Sequence, residues 1–354
     1  MPPTLLGLRP GAPPVAVDAV VLGEALVDFF PENPGVSLEE TERFVRHPGG
    51  APCNLAIGLR RQGIPTALVT QVGGDAFGRF LRKRLLDEGV AVDGLSTHKT
   101  ARTGVTFVSV SAQGERSFLF YRHPSADMMM TKAELSPPLV QRGRLFHFGS
   151  SSLSREPVRS TTLFAIECAQ KQAGQRLQSC DVNFRPHLWP EPKDAPPLLR
   201  KVLSGCDVVK LTEEELPVLC GTESVEAGAQ FVRKLGATLV VVTLGERGAY
   251  LDAPQGTAYF SAEKVVVVDK TGAGDAFSAG LLASLLVYLS GPGDGPFRKR
   301  LAELPMDALK RACLHGTHLA GRVCTALGAT TVLPKMVPPS PPPLKIRAIG
   351  RKED

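Results

Sequence analysis

Apolar positions along the chain fall into short runs separated by polar turns, and the runs are of two kinds. Ala19–Leu22, Ala67–Val72, Leu145–Phe148, Ser179–Val182, Val208–Leu211 and Leu239–Thr243 are short and mostly apolar, as strands covered on both faces are. Between them lie stretches with helical spacing. One runs through Leu55, Ile57 and Leu59, opened by Gly49-Gly50 and closed by Gly63; another, Phe77–Glu88, is amphipathic. The alternation predicts an α/β fold with a mainly parallel, doubly wound sheet. Gly104–Tyr121 departs from it. Two alternating runs joined by a turn at Gln113-Gly114 predict a β-hairpin with one apolar and one polar face. Such a hairpin does not suit a sheet covered on both sides. It predicts a small, discontinuous β lid, from about 29–48 and 98–125, whose apolar outer face would suit a second copy of the chain, hence a homodimer. Residues 17–335 are expected to form one domain, with proline-rich flexible tails at 1–16 and 336–354.

The stretch Val265–Leu286 organises the rest. Its four valines predict a buried strand, and a turn with two glycines leads into a long helix of small and apolar residues. Curled backbone at Gly272, Ala273 and Gly274, at the positive end of that helix, would make an anion hole. Asp275 stands at its mouth. A carboxylate there repels a phosphate, so it suggests a group acting on the nucleophile that attacks the phosphate. The alternative is that Asp275 only caps the helix.

Composition narrows the function. A hydrophobic content of 43% and a charged content of 21% are those of a soluble globular protein. The net charge of +6 is spread along the chain, with its densest groups at Arg79–Arg84 and Arg298–Arg300. That argues against a nucleic-acid partner and suits an anionic cosubstrate. Seven cysteines without a C-x-x-C pair argue against a disulfide framework or a zinc site and for a cytoplasmic protein. No secretion signal or membrane span is expected. A P-loop, the protein-kinase signatures and a Rossmann fingerprint are all missing.

Two segments, Gly49-Gly-Ala-Pro-Cys-Asn-Leu-Ala-Ile-Gly-Leu59 and Asp269-Lys-Thr-Gly-Ala-Gly-Asp-Ala-Phe277, resemble the carbohydrate kinase family that includes ribokinase, fructokinase and 2-keto-3-deoxygluconate kinase. The resemblance runs from about Val17 to Pro334. It implies a ribokinase-like three-layer sandwich with a β lid, and transfer of the ATP γ-phosphoryl to a sugar hydroxyl. By the same resemblance Asp275 is the general base, and the amides of Gly272, Ala273 and Gly274 take up phosphoryl charge. Thr212 and Glu215 stand where the family has Asn-x-x-Glu, so Glu215 would orient water around Mg2+. Thr212 departs from Asn, and an acidic first helical turn is the alternative. Thr243, Gly245 and Gly248 resemble the nucleotide-contacting turn, although Gly248 could serve the turn alone. Asp269 and Thr271 resemble a monovalent-cation site, with K+ the ion in question. Lys270 replaces the commoner small residue between them and leaves that site open. Residues from about Leu314 to Gly328 are expected to wall the adenine.

For the sugar, Asp28, at the end of the first strand, resembles the carboxylate that accepts from hydroxyls; Gly50 and Asn54 fit the same pocket. Arg122, in Phe118–Asp127, and Arg185, in Asp181–Trp189, would bring two cations to the sugar. Phe118–Asp127 resembles fructokinases, whereas an arginine fork would also suit the carboxylate of 2-keto-3-deoxygluconate. D-Fructose, phosphorylated on O6, is the expected substrate. The keto-acid kinase is the alternative, and a catalytically silent sugar-sensing relative is the remote one.

Overall fold

The computed structural model describes residues 17–32, 35–110, 116–122, 124–171, 176–290 and 295–334. The two tails, the turn at Gln113-Gly114 and His123 lie outside the described residues.

Among the described residues thirteen strands form two sheets: β1 (Ala19–Leu22), β2 (Leu26–Pro31), β3 (Phe44–Gly49), β4 (Thr66–Gly73), β5 (Leu95–His98), β6 (Val105–Val110), β7 (Arg116–Tyr121), β8 (Leu145–Gly149), β9 (Leu177–Asp181), β10 (Val208–Thr212), β11 (Leu239–Thr243), β12 (Ala249–Ala253) and β13 (Gly256–Phe260). The large sheet has the order β13-β12-β11-β10-β9-β8-β1-β4-β5. It is parallel from β5 through β11, and β12 and β13 complete it antiparallel. Successive residues of β1 feed opposite cores. Ala19 and Val21 join one apolar cluster with Leu55, Ile57 and Leu281; Val20 and Leu22 join another with Ile166, Leu199 and Val232. Helices therefore cover both faces, which is why the strands read as continuous apolar runs.

The hairpin forms as expected, and β6 and β7 join β2 and β3 in a separate four-stranded sheet ordered β3-β2-β6-β7. This is the lid. Asp28 therefore lies within a lid strand, β2, and not at the end of the first strand, which finishes at Leu22. Register puts Asp28, Thr106 and Phe120 on one lid face and Phe29, Phe107 and Leu119 on the other. The first face meets the large domain, where Phe120 stacks on His187 at 4.8 Å.

One expectation fails. Val265–Val268 is not a strand, and Val266, Val267 and Val268 are 85%, 50% and 46% exposed. The sheet ends at Phe260, and the valine segment is held instead by Val268 and Asp269 N–H groups donating to Cys324 O at 2.8 and 3.2 Å. β-Branching favours a pleat only where a neighbouring strand is available, and among the described residues none pairs with this segment.

The helix that follows, Ala273–Tyr288, is buried from Ala276 to Leu286 as expected. Its small residues let neighbouring helices approach on two sides. A Cβ on Gly58 would stand 2.7 Å from Ala279 Cβ, and one on Gly280 2.8 Å from the Gly316 backbone.

Candidate active site

The turn Asp269–Gly272 is built around one buried carboxylate. Asp269 Oδ1 accepts from Thr271 N and Oγ1 at 2.9 and 2.7 Å, and Oδ2 accepts from Gly328 N at 3.0 Å. The carboxylate thus ties the turn to the loop after the last helix, Met306–Val323. Gly272 is the helix N-cap, with φ of 78°, and a Cβ there would lie 2.3 Å from Ala329 Cβ. Left-handed backbone and close approach both require glycine.

Of the three amides expected to receive phosphoryl charge, one is engaged: Ala273 N–H donates to Lys270 O at 3.2 Å, closing the turn that starts the helix. The Gly272 and Gly274 N–H groups have no acceptor among the described residues. Asp275, in the first helical turn, makes no capping hydrogen bond, so the capping alternative falls away. Its carboxylate is half-buried, and Oδ2 accepts from Asn54 Nδ2 at 2.8 Å. Asn54 sits on the helix Ala51–Arg61, which Gly50 caps with φ of 92°, close against the Glu24 carbonyl.

Electrostatics at Asp275 favour a base poised near neutrality. Burial raises its pKa to about 7; the Asn54 hydrogen bond opposes this, Asp181 adds to it, Lys210 subtracts and Glu24 adds. Asp28 is likewise raised to about 7, first by burial, with Thr106 opposing and Asp275, Asp269 and Glu24 adding. A general base that titrates near working pH couples availability to proton affinity.

A cavity opens beside Asp275. Glu24, Asn183, Ser150 and Ser151 line it together with Asp181 and Ser278. Glu24, Ser150, Ser151 and Asn183 were not singled out from sequence. Serines and a single Asn in loops carry no local signature; only the convergence of β1, β8 and β9 at one sheet edge brings them together. Asn183 has φ of 36°, a left-handed conformation at the cavity wall.

The two arginines fare differently from expectation. Arg122 is buried and committed. Its Nη2 lies 2.5 Å from Asp127 Oδ2 and 3.7 Å from Glu24 Oε2, and Nε also donates to Asp127 at 3.1 Å. Arg185 is exposed and donates to the Phe184 carbonyl at 3.3 Å. Neither lines the cavity. The fork imagined from sequence is absent because Asp127, five residues on from Arg122, folds back beneath it.

On the nucleotide side, Thr212 and Glu215 form a capping box; Glu215 Oε2 accepts from Thr212 N at 2.8 Å and Oε1 from Phe184 N at 2.5 Å. Thr243 ends β11 beside Thr212 of β10. Gly245 has φ of 59° and open space beside it, whereas a Cβ on Gly248 would strike the Phe260 carbonyl. Gly248 is a turn glycine.

The arrangement suits phosphoryl transfer: a helix N-terminus with two amides that lack acceptors among the described residues, a half-buried carboxylate raised to about 7 and a polar cleft under a lid. The sequence matches the pfkB family carbohydrate kinase model over residues 17–336. The chain belongs to that family and is a phosphotransferase. Within the family it is similar to fructokinases. Fructokinase-1 of Oryza sativa subsp. japonica is 45% identical over 270 residues, covering 75% of this chain and 82% of the relative. A Klebsiella pneumoniae fructokinase is 38% identical over 316 residues, 89% and 95% of the two chains. Among solved structures, fructokinase from Vibrio cholerae O395 with fructose, ADP and calcium ion aligns with a TM-score of 0.78 at 33% identity, covering 91% and 97%. An aminoimidazole riboside kinase from Salmonella enterica aligns with a TM-score of 0.74 at 28% identity, covering 90% and 96%. The ribokinase-like sandwich with a lid is the fold expected from sequence.

Proposed function

We propose that the chain is an ATP-dependent fructokinase, residues 17–335 acting as one domain, which phosphorylates O6 of D-fructose with Asp275 as general base. The observation that carries this reading is the half-buried Asp275 carboxylate, oriented by Asn54 beside the free amides of Gly272 and Gly274. The sugar oxygen attacks the γ-phosphorus as its proton passes to Asp275, and the bond from phosphorus to the bridging oxygen breaks, leaving that electron pair on ADP. The two amides take up charge on the transferring group. Asp28, on the lid's inner face, and the cavity residues Glu24, Ser150 and Asn183 offer the acceptors and donors a polyol needs.

Mg2+ bound with ATP would neutralise phosphate charge, and Glu215, whose oxygens each accept one backbone bond, keeps lone pairs for its water shell. Asp269, whose buried carboxylate organises the turn with Thr271 and Gly328, would sit beside a K+ ion; potassium is present in one structure of the Vibrio cholerae enzyme. Residues from about Leu314 to Gly328 would wall the adenine, with exposed Val266–Val268 hydrogen-bonded beside them through Cys324. Leu119 and Tyr121, 47% and 62% exposed, and Leu119's outer lid face would pair two copies. The free cysteines fit a cytoplasmic setting.

Fructose is favoured over 2-keto-3-deoxygluconate because the Arg122 guanidinium is already paired with two carboxylates. Purified protein with ATP, Mg2+ and a sugar panel tests the choice. Fructose should turn over best, and turnover of the keto acid without fructose would reject it.

A further inference from the structure

Behind Gly274 lies a charged pair that the base and the amides leave unused. Lys210 of β10 and Asp181 of β9 are register partners on adjacent parallel strands, and their side chains are only 8% and 7% exposed. Lys210 Nζ lies 3.2 and 3.0 Å from the two Asp181 oxygens, and 2.9 Å from the position a Cβ would take on Gly274. An ammonium carries three donors, and the described residues offer this one no acceptor beyond that carboxylate. Burying such a pair costs several kcal/mol in desolvation, and apolar residues of similar size would serve the fold as well. Burial alone would lower the lysine's pKa, yet Asp181, Glu215 and Asp275 outweigh it and hold the pKa above the ordinary lysine range. A positive charge therefore stands against the backbone of Gly274, at the start of the helix.

We propose that Lys210 is a positioning residue whose ammonium, fixed by Asp181 against Gly274, adds positive charge to the helix start that receives the transferring phosphoryl group. This rests on the assignment of Asp275 as base. The same pair acts on that base. Asp275 faces Asn54 from the helix Ala51–Arg61, Glu24 from the β1–β2 connection, Asp28 from β2, Asp181 from β9 and Lys210 from β10. Lys210 favours its ionised form, and Asp181 opposes it.

The test uses Lys210→Met, Lys210→Arg, Asp181→Asn and the Lys210→Met/Asp181→Asn double variant of the full chain. Turnover of fructose with Mg2+ and ATP is followed across pH, with ADP binding and melting alongside. Lys210→Met should lower kcat by about 10²-fold or more, with the KM for fructose nearly unchanged, and should move the acid limb of the profile to higher pH. Asp181→Asn should move that limb to lower pH. The double variant should be no slower than Lys210→Met, because the two side chains act as one unit. Lys210→Arg, keeping the charge, should leave the limb in place; it decides the matter together with Asp181→Asn if the methionine variant fails to fold. A Lys210→Met kcat within threefold of the parent, or limbs displaced in the same direction by the two single variants, overturns the proposal. Loss of turnover in Asp275→Asn alongside an unimpaired Lys210→Met would overturn this proposal alone. Retained turnover in Asp275→Asn would overturn the base assignment itself.

Discussion

Replacing Asp275 with asparagine should make the protein more stable and nearly inactive at once. The carboxylate is raised from 3.8 to about 7, first by burial; at ~1.4 kcal/mol per pH unit this is a cost of roughly 4 kcal/mol for holding the charge in the fold. Because the side chain still meets cleft water, about 2 kcal/mol is the expected gain on removing it. The sign follows from proton counting. Between about pH 4 and pH 7 the folded chain binds a proton at Asp275 that the unfolded chain has released, so native stability falls as pH rises through that window. Asparagine carries no such term and keeps an oxygen for Asn54 to donate to. Its advantage should vanish near pH 4, grow towards pH 7 and stay constant above, appearing as a melting temperature several degrees above the parent at pH 8. Turnover should fall by about 10²- to 10⁴-fold through loss of the base. Thermal melting at pH 4.5 and pH 8, with coupled ADP-release kinetics, checks both halves. A variant that melts below the parent at pH 8, or by the same difference at both pH values, refutes the buried-charge argument.

In the parent, kcat/KM should fall tenfold per pH unit below about 7, where Asp275 takes up a proton; a profile flat down to pH 5 would contradict this. Gly272→Ala places a Cβ in the left-handed region and against Ala329, so melting should reveal a loss of about 2 kcal/mol or more and turnover should fall with the displaced turn. Arg122→Met leaves Asp127 and Glu24 buried without their cation, which should cost about 3–5 kcal/mol in denaturant unfolding. The ratio of fructose to keto-acid turnover should not change, and a large change would restore Arg122 to the sugar pocket.

Much of the architecture could be read along the chain because its cause is local. The six core strands announced themselves through apolar runs, the hairpin through alternation and the central helix through small residues between two glycine-lined neighbours. Asp275 and Asn54 stood out for a related reason: glycine-marked turns place both at helix starts, and register along those helices carries them to one point. Boundaries shifted by a residue at each end at β4, expected from Ala67 to Val72 and found from Thr66 to Gly73.

Other features depend on which segments meet, and linear order does not record that. Four valines look identical whether or not a strand lies alongside, and among the described residues none pairs with them past Phe260. Arg122 has the charge to bind a keto acid, but Asp127 and Glu24 reach it first. Lys210 interrupts an apolar strand, a visible anomaly in the sequence. Only the fold shows that its charge is balanced by Asp181 and delivered behind Gly274. Local propensity and periodicity select the elements; competition among charges for partners in a low-dielectric interior assigns the work, and that competition exists only once the chain is folded.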